Sequence, residues 1–239
     1  MTPEETAAAV WLPVAEFGAK WMFDPATHAR VAERGYDFGT LYAGGRGGVL
    51  GEVDADEVAR QLTIFDHDQI RTNWERARSI KPTGEWVAEY ADELVAAGRA
   101  DLPDDEHSRR LAELTARVVD AADASDKPLF AGWRAVEPPA DHAGAAAFQI
   151  TLIREFRGCA HYNALAAHGI DGLTAVLIRT GPDFAAMLGH GAPYPEIDDD
   201  MRDRWTAAEV DTAAAHAAAL EVLTADERTE YAALIGELL

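Results

Sequence analysis

From about Ala143 to His168 the chain reads as one uninterrupted helical pattern, ended by Gly169. No stretch shows the period-two alternation of a half-buried strand. A chain that offers helical stripes and no strand face can bury its apolar surface only by packing helix on helix. Alanine, the best helix former, supplies roughly a fifth of the 239 residues and concentrates at 143–147 and 212–219. The length allows one large domain or two modest ones, and the expected fold is all-α.

Start and stop signals divide the chain further. Thr2, Pro3 and Glu5 form a capping box with proline at the first helical position, and Pro13 is expected to kink or restart that helix. Asp24-Pro25 repeats the start signal, and Gly35 stops the next helix. Residues 36–51 hold six glycines and read as a loop. An amphipathic run then extends to Trp74. Thr83 caps a segment with Trp86, Tyr90, Leu94 and Val95 at helical spacing. Pro103-Asp104-Asp105 opens another, whose buried stripe is Leu111, Leu114 and Val118. Three prolines within 128–140 mark a crossing between two packed helical subdomains, 1–127 and 128–239. Asp171 caps a short helix to Thr180, and residues 201–239 read as two helices joined near Leu223-Thr224.

Forty-two acidic residues against 21 Lys plus Arg give a formal charge of -21. Nonspecific nucleic-acid affinity comes from cations neutralising phosphates, so no nucleic-acid partner is expected. The single cysteine, Cys159, excludes an internal disulfide and fits a reducing compartment. No apolar run approaches the roughly 20 residues of a membrane span, and the acidic start MTPEETAAAVW is unlike a signal peptide. A cytoplasmic protein without a membrane partner is the expectation.

The helix 143–168 carries the clearest candidate chemistry. With Arg154 at zero on a helical wheel, Arg157 falls about 60° away, His161 about 20° and His168 about 40°. Phe148, Leu152, Phe156 and Cys159 lie on the opposite, core side. The stripe is either a solvated face neutralised by Glu155 and other acids, or the wall of a pocket that receives an anion. Two cations ~6 Å apart in a partly buried cavity repel by about 3 kcal/mol at an effective dielectric of 20, so a pocket wall of this kind needs a counter-anion. Arginine holds planar carboxylates bidentately, and His161 one turn on is placed to bond the ligand or to act as acid and base.

Other motifs are weaker. GGRGGVLG at 44–51 fits neither G-x-G-x-x-G nor the P-loop; it implies close backbone approach, with Arg46 reaching a ligand as the alternative. Asp66-His67-Asp68 faces different ways on a helix, and Asp198-Asp199-Asp200 lacks EF-hand spacing, so no metal is expected. No cofactor is expected either. Cys159 reads as a small buried apolar residue.

The segments Pro128-Leu129-Phe130-Ala131, Leu152-Ile153-Arg154-Glu155-Phe156-Arg157-Gly158 with His161, and Gly169-Ile170-Asp171-Gly172 resemble an actinobacterial family of largely uncharacterised helical proteins described as helix-turn-helix or MarR-like. Its members carry R-E-H-R-G-x-x-H before a G-L-D-G turn, and its Y-F-A-G-R-A-A-P-L-G motif is similar to Tyr42-Ala43-Gly44 through Arg46 and Leu50-Gly51. The resemblance covers about 10–239. It implies a mostly helical fold, with a degenerate winged helix-turn-helix scaffold in the C-terminal part and a site at Arg46, Arg154, Glu155, Arg157 and His161. Family members end in a winged stretch, whereas residues 204–239 have neither a basic recognition helix nor a wing. The end instead resembles a MarR-like dimerisation helix, which implies a homodimer. The leading expectation is a small-molecule protein that binds an organic anion through Arg154, Arg157, His161 and Arg46. The alternatives are a cofactor-independent natural-product enzyme with His161 and Glu155 as catalytic groups, and a MarR-like regulator.

Overall fold

Helix starts fall where a side-chain oxygen can take up the free amides of the first turn. Asp24, Asp37, Asp54, Asp66, Asp105, Asp141, Asp171 and Asp198 each accept a backbone N–H at a helix N-terminus, as do Thr2 and Thr224. Many of the chain's acids are therefore structural caps, placed where the helix dipole favours negative charge.

The computed structural model describes residues 1–238, and among them there are α-helices and no strand. In chain order they are α1 (Pro3–Lys20), α2 (Pro25–Glu33), α3 (Phe38–Gly48), α4 (Ala55–Gln61), α5 (His67–Ile80), α6 (Thr83–Asp101), α7 (Glu106–Ala121), α8 (Pro128–Arg134), α9 (His142–Ala167), α10 (Gly172–Arg179), α11 (Pro182–Met187), α12 (Asp199–Leu220) and α13 (Ala225–Gly236). A short 3-10 turn, Trp21–Phe23, follows α1. None of these helices is long and apolar enough to cross a membrane. No cluster of three or more metal-ligating side chains occurs among the described residues.

The fold is all-α, and α9 is its spine, with α1, α6, α7, α8 and α12 packed around it. Phe148, Leu152, Phe156 and Cys159 are buried, as the wheel implies, but so are Ile153, Glu155, Arg157 and His161 on other sides. The helix has no broad solvent face because neighbours surround it, so its charges lie inside the molecule. One cluster of buried side chains draws on both sides of residue 128, from Val10 and Trp86 to Phe130 and Tyr231. Tyr231 and Ile235 of α13 are fully buried, and that helix packs on α1 and α7. The apolar side of the C-terminal helix is thus used within the chain.

Three local expectations change. Helix α1 runs through Pro13 without a break. Pro82, not Thr83, is the N-cap of α6. The glycine-rich segment is not a loop, since α3 continues to Gly48. Its glycines are needed for packing: a Cβ on Gly44 would stand 2.9 Å from Trp86 Cγ, and one on Gly45 2.4 Å from Tyr90 Cβ. Side chains there would push α3 away from α6. The helix tolerates glycine's entropic cost of about 1 kcal/mol per residue because both neighbours and backbone close around it.

Gly45→Ala is therefore expected to destabilise the protein by about 1–3 kcal/mol through overpacking. Gly84→Ala, where a Cβ meets nothing within 4 Å, should leave stability unchanged or raise it by up to about 1 kcal/mol. Urea melts of the two variants check the contrast.

Candidate functional site

The deepest ionic contact joins α3 to α9. Arg46 Nε and Nη2 each donate to Glu155, to Oε2 and Oε1, at 2.9 Å, and both residues are buried (4% and 5% exposed). Arg46 Nη1 donates to the Tyr42 hydroxyl, and the Cys159 thiol approaches Glu155 Oε1 at 3.7 Å. Burial opposes the Arg46 charge, but Glu155 and the phenols of Tyr42 and Tyr162 outweigh it and hold the guanidinium pKa well above its ordinary value. Burial pushes the Cys159 thiol up, away from the reactive thiolate range.

Above this pair lies a cavity of about 250 Å³ between α1, α3, α9, α10 and α11. Arg46, Arg154, Arg157 and His161 all line it, so the structure brings the four expected ligand-binding residues to one place. Glu155 does not line it; it stands behind Arg46. His168 also lies elsewhere, bonded to Asp211 at 2.7 Å on the surface. The stripe reaches the cavity because α1 makes room for it: a Cβ on Gly18 would sit 2.6 Å from Arg154 Cδ.

The cavity's charge is distinctive. Arg179 joins the other three arginines, while no Asp or Glu lines the space. Two acids stand behind the wall: Glu155 on Arg46, and Glu209, whose Oε2 accepts from Arg157 Nη2 at 2.8 Å. Arg154 and Arg179 have no carboxylate partner among the described residues. The Arg157 guanidinium also lies 3.6 Å from the centroid of the Trp11 ring, a cation–π stack. Burial lowers the Arg157 pKa, and Glu209 works the other way.

His161 completes one side. Its Nδ1 lies 3.2 Å from Thr212 Oγ1 and 3.4 Å from Glu209 Oε1. Burial lowers the ring's pKa to about 4, against the pull of Glu209, so the imidazole is neutral at pH 7. The remaining walls are apolar and aromatic, with Trp11, Tyr42, Tyr162 and Phe184 among them. Phe23 is 55% exposed at the edge, its ring 6.4 Å from that of Phe184. Gly158 leaves space open, since a Cβ there would meet only Arg46 Nη2, at 4.0 Å.

Sequence reasoning missed Trp11, Arg179, Glu209 and Thr212. All four sit on α1, α10 or α12, and no spacing in the chain relates them to 154–161. A further group behind the site was also missed. His216 of α12 is 1% exposed, and neither ring nitrogen has a hydrogen-bond partner. Burial, with the nearby Arg157 charge, depresses its pKa to about 3.

Two stability effects follow. Glu155→Ala should cost about 3–5 kcal/mol, because it strands a buried guanidinium, and the double variant Arg46→Met/Glu155→Leu should cost less than the single one; urea melts decide this. The second effect is acid lability. His161 and His216 have folded-state values below the unfolded one, so the unfolded chain binds more protons as pH falls below about 6.5. Their contribution is complete above that pH and is lost on the way down toward pH 4 and 3. Stability should therefore drop between pH 6.5 and 5, where carboxylates are still ionised, and His216→Leu should flatten that drop in melts taken across the range.

No curated protein and no solved structure matches the chain. A sequence model described as a helix-turn-helix family matches residues 7–237, nearly the whole length, and the chain belongs to that family.

Proposed function

We propose that this protein binds a small organic anion in the cavity between α1, α3, α9, α10 and α11, on a helix-turn-helix-type scaffold that does not read DNA, and that it works in the cytoplasm. The observation that carries the proposal is the charge count at the cavity. Four arginines line it, two have carboxylate partners, and no acid faces the space. A half-open site with two uncompensated guanidinium groups, the half-buried Arg154 and the exposed Arg179, in a chain of formal charge -21 is stabilised by an incoming carboxylate or similar group. The aromatic walls suit a flat apolar body attached to that group. At about 250 Å³ the space lies below the roughly 300–1,000 Å³ of drug-sized pockets, so the ligand is smaller than a drug.

DNA reading has little to work with at the C-terminal end. Arg204 pairs with Asp200 at 2.9 Å and donates to the Gly169 carbonyl, and Arg228 donates to the carbonyls of Met1 and Leu223. Both guanidiniums are engaged with their own chain, whereas groove readers present theirs to bases and phosphates. One observation favours acid–base turnover in the same cavity as a second reading: a neutral His161 backed by Glu209 is an arrangement used for general-base catalysis.

Calorimetry with 2-naphthoate, a flat aromatic carboxylate, and its neutral isostere 2-naphthamide tests the binding proposal. The acid should bind and the amide should bind more weakly. Arg154→Met should reduce affinity for the acid roughly 10- to 100-fold, the range for losing a charge-assisted hydrogen bond of about 1.5–3 kcal/mol, with thermal stability retained. Gly158→Leu should block the cavity without altering its charge and also suppress binding. Equal affinities for acid and amide, or full affinity in Arg154→Met, would sink the proposal.

A further inference from the structure

The cavity's polar lining consists largely of hydrogen-bond donors. Arginines donate and cannot accept, and four of them face the space. The hydroxyls of the lining residues Tyr42, Tyr162 and Thr180 both donate and accept; among the lining side-chain nitrogens only His161 can accept, and its surroundings settle which way its imidazole is protonated. The Thr212 hydroxyl donates to the Ala208 carbonyl at 2.7 Å, leaving its lone pairs toward His161 Nδ1 at 3.2 Å. Glu209 Oε1 lies 3.4 Å from the same nitrogen, and a carboxylate can only accept. Two acceptors therefore face Nδ1, and the proton of the neutral ring resides there. Nε2 carries a bare lone pair and has no protein partner.

A simple carboxylate satisfies the arginines but does nothing for Nε2, and an anionic oxygen turned toward that lone pair would be repelled. We infer that the cavity selects anions that also carry a hydrogen-bond donor, a hydroxyl or N–H on a flat aromatic body, which His161 Nε2 accepts while Arg154 and Arg179 hold the anionic group. This rests on the anion-binding reading above and adds His161 as the specificity-determining residue. Leaving a buried acceptor unpaired is what rejects the analogue lacking the donor. Arg157, already paired with Glu209, fixes the carboxylate that orients His161 and so acts as a positioning residue.

The test uses the full chain and a matched set of probes: 2-naphthoate and its 3-, 6- and 7-hydroxy derivatives, with the methoxy counterpart of whichever binds best. At least one hydroxy isomer should bind tenfold or more tighter than the parent acid, and its methoxy counterpart should lose that advantage. In His161→Phe the hydroxy-to-parent ratio should collapse to within twofold, and in His161→Gln, whose amide oxygen can accept, it should partly recover. Long-range proton–nitrogen NMR of histidine-labelled wild-type protein reads the tautomer directly and does not depend on any variant folding. It should show the proton of His161 on Nδ1. A proton on Nε2, no hydroxy isomer exceeding the parent, or an advantage that survives in His161→Phe overturns the inference, while binding of the parent acid keeps the anion site. Failure of every probe, the parent included, removes the anion-binding reading itself and the inference with it.

Discussion

The Arg46–Glu155 pair is the contact on which the other parts of the site depend. It joins residues 109 positions apart in the chain, with both side chains taken out of water. Burying two charges costs several kcal/mol per ion unless their remaining hydrogen-bonding positions are filled. They are filled here: Glu155 accepts two N–H groups and faces a thiol, and Arg46 also reaches Tyr42. A pair so completely enclosed has few alternative arrangements, so it ties α3 to α9, two helices that otherwise pack mainly on other neighbours. It thereby holds the Arg46 side of the cavity against α9, whose own orientation comes from its packing on α6, α7 and α12.

The glycines of α3 make the pair possible. Arg46 sits in a helix whose every residue from Thr40 to Gly48 is buried. Backbone packed that closely against α5 and α6 admits no side chain at positions 44 and 45. Had those positions carried alanine, α3 would stand farther out and the guanidinium would lose its reach to Glu155 or gain water. Glycine's helix penalty is thus offset by a geometry that lets a long cation cross the interior. With Arg46 neutralised in place, the uncompensated charge at the cavity belongs to Arg154 and Arg179. Only Arg154 lies on the stripe that the helical wheel reveals.

Local signals made most of the fold legible. Capping aspartates and threonines, glycine stops at 35 and 169, and the apolar spacing of α7 and α9 all report interactions within a turn or two of the chain, and the structure places helix ends beside them. The candidate site was legible to the extent that it lies on one helix: Arg154, Arg157 and His161 share a stripe by arithmetic alone. Trp11, Arg179 and Glu209 were not legible, because what brings them together is the packing of α1, α10 and α12 on α9. The glycine segment was misread for a related reason. Four glycines in a row of five residues argue against a helix by propensity, and only the neighbours that press on them reverse that preference.

Charge at two scales bears on how such a site works. The molecule as a whole is strongly negative, so at long range an approaching anion meets repulsion, not steering. Physiological salt screens that field beyond about 8 Å, whereas the cavity's guanidinium groups act at contact distance, through charge-assisted hydrogen bonds made directly to the anion. Recognition therefore resides in the first few ångströms, in donors already held in place by α9 and α10 and in aromatic walls that exclude water. Free carboxylates on the surface do not compete for Arg154 and Arg179, because no acid lines the space they face. The acids that do approach, Glu155 and Glu209, are each committed to one arginine. The negative surface and the positive cavity are thus compatible: aspartates placed at helix N-termini stabilise the scaffold from outside, and the cavity presents two cations, the half-buried Arg154 and the exposed Arg179, with no acid on its lining.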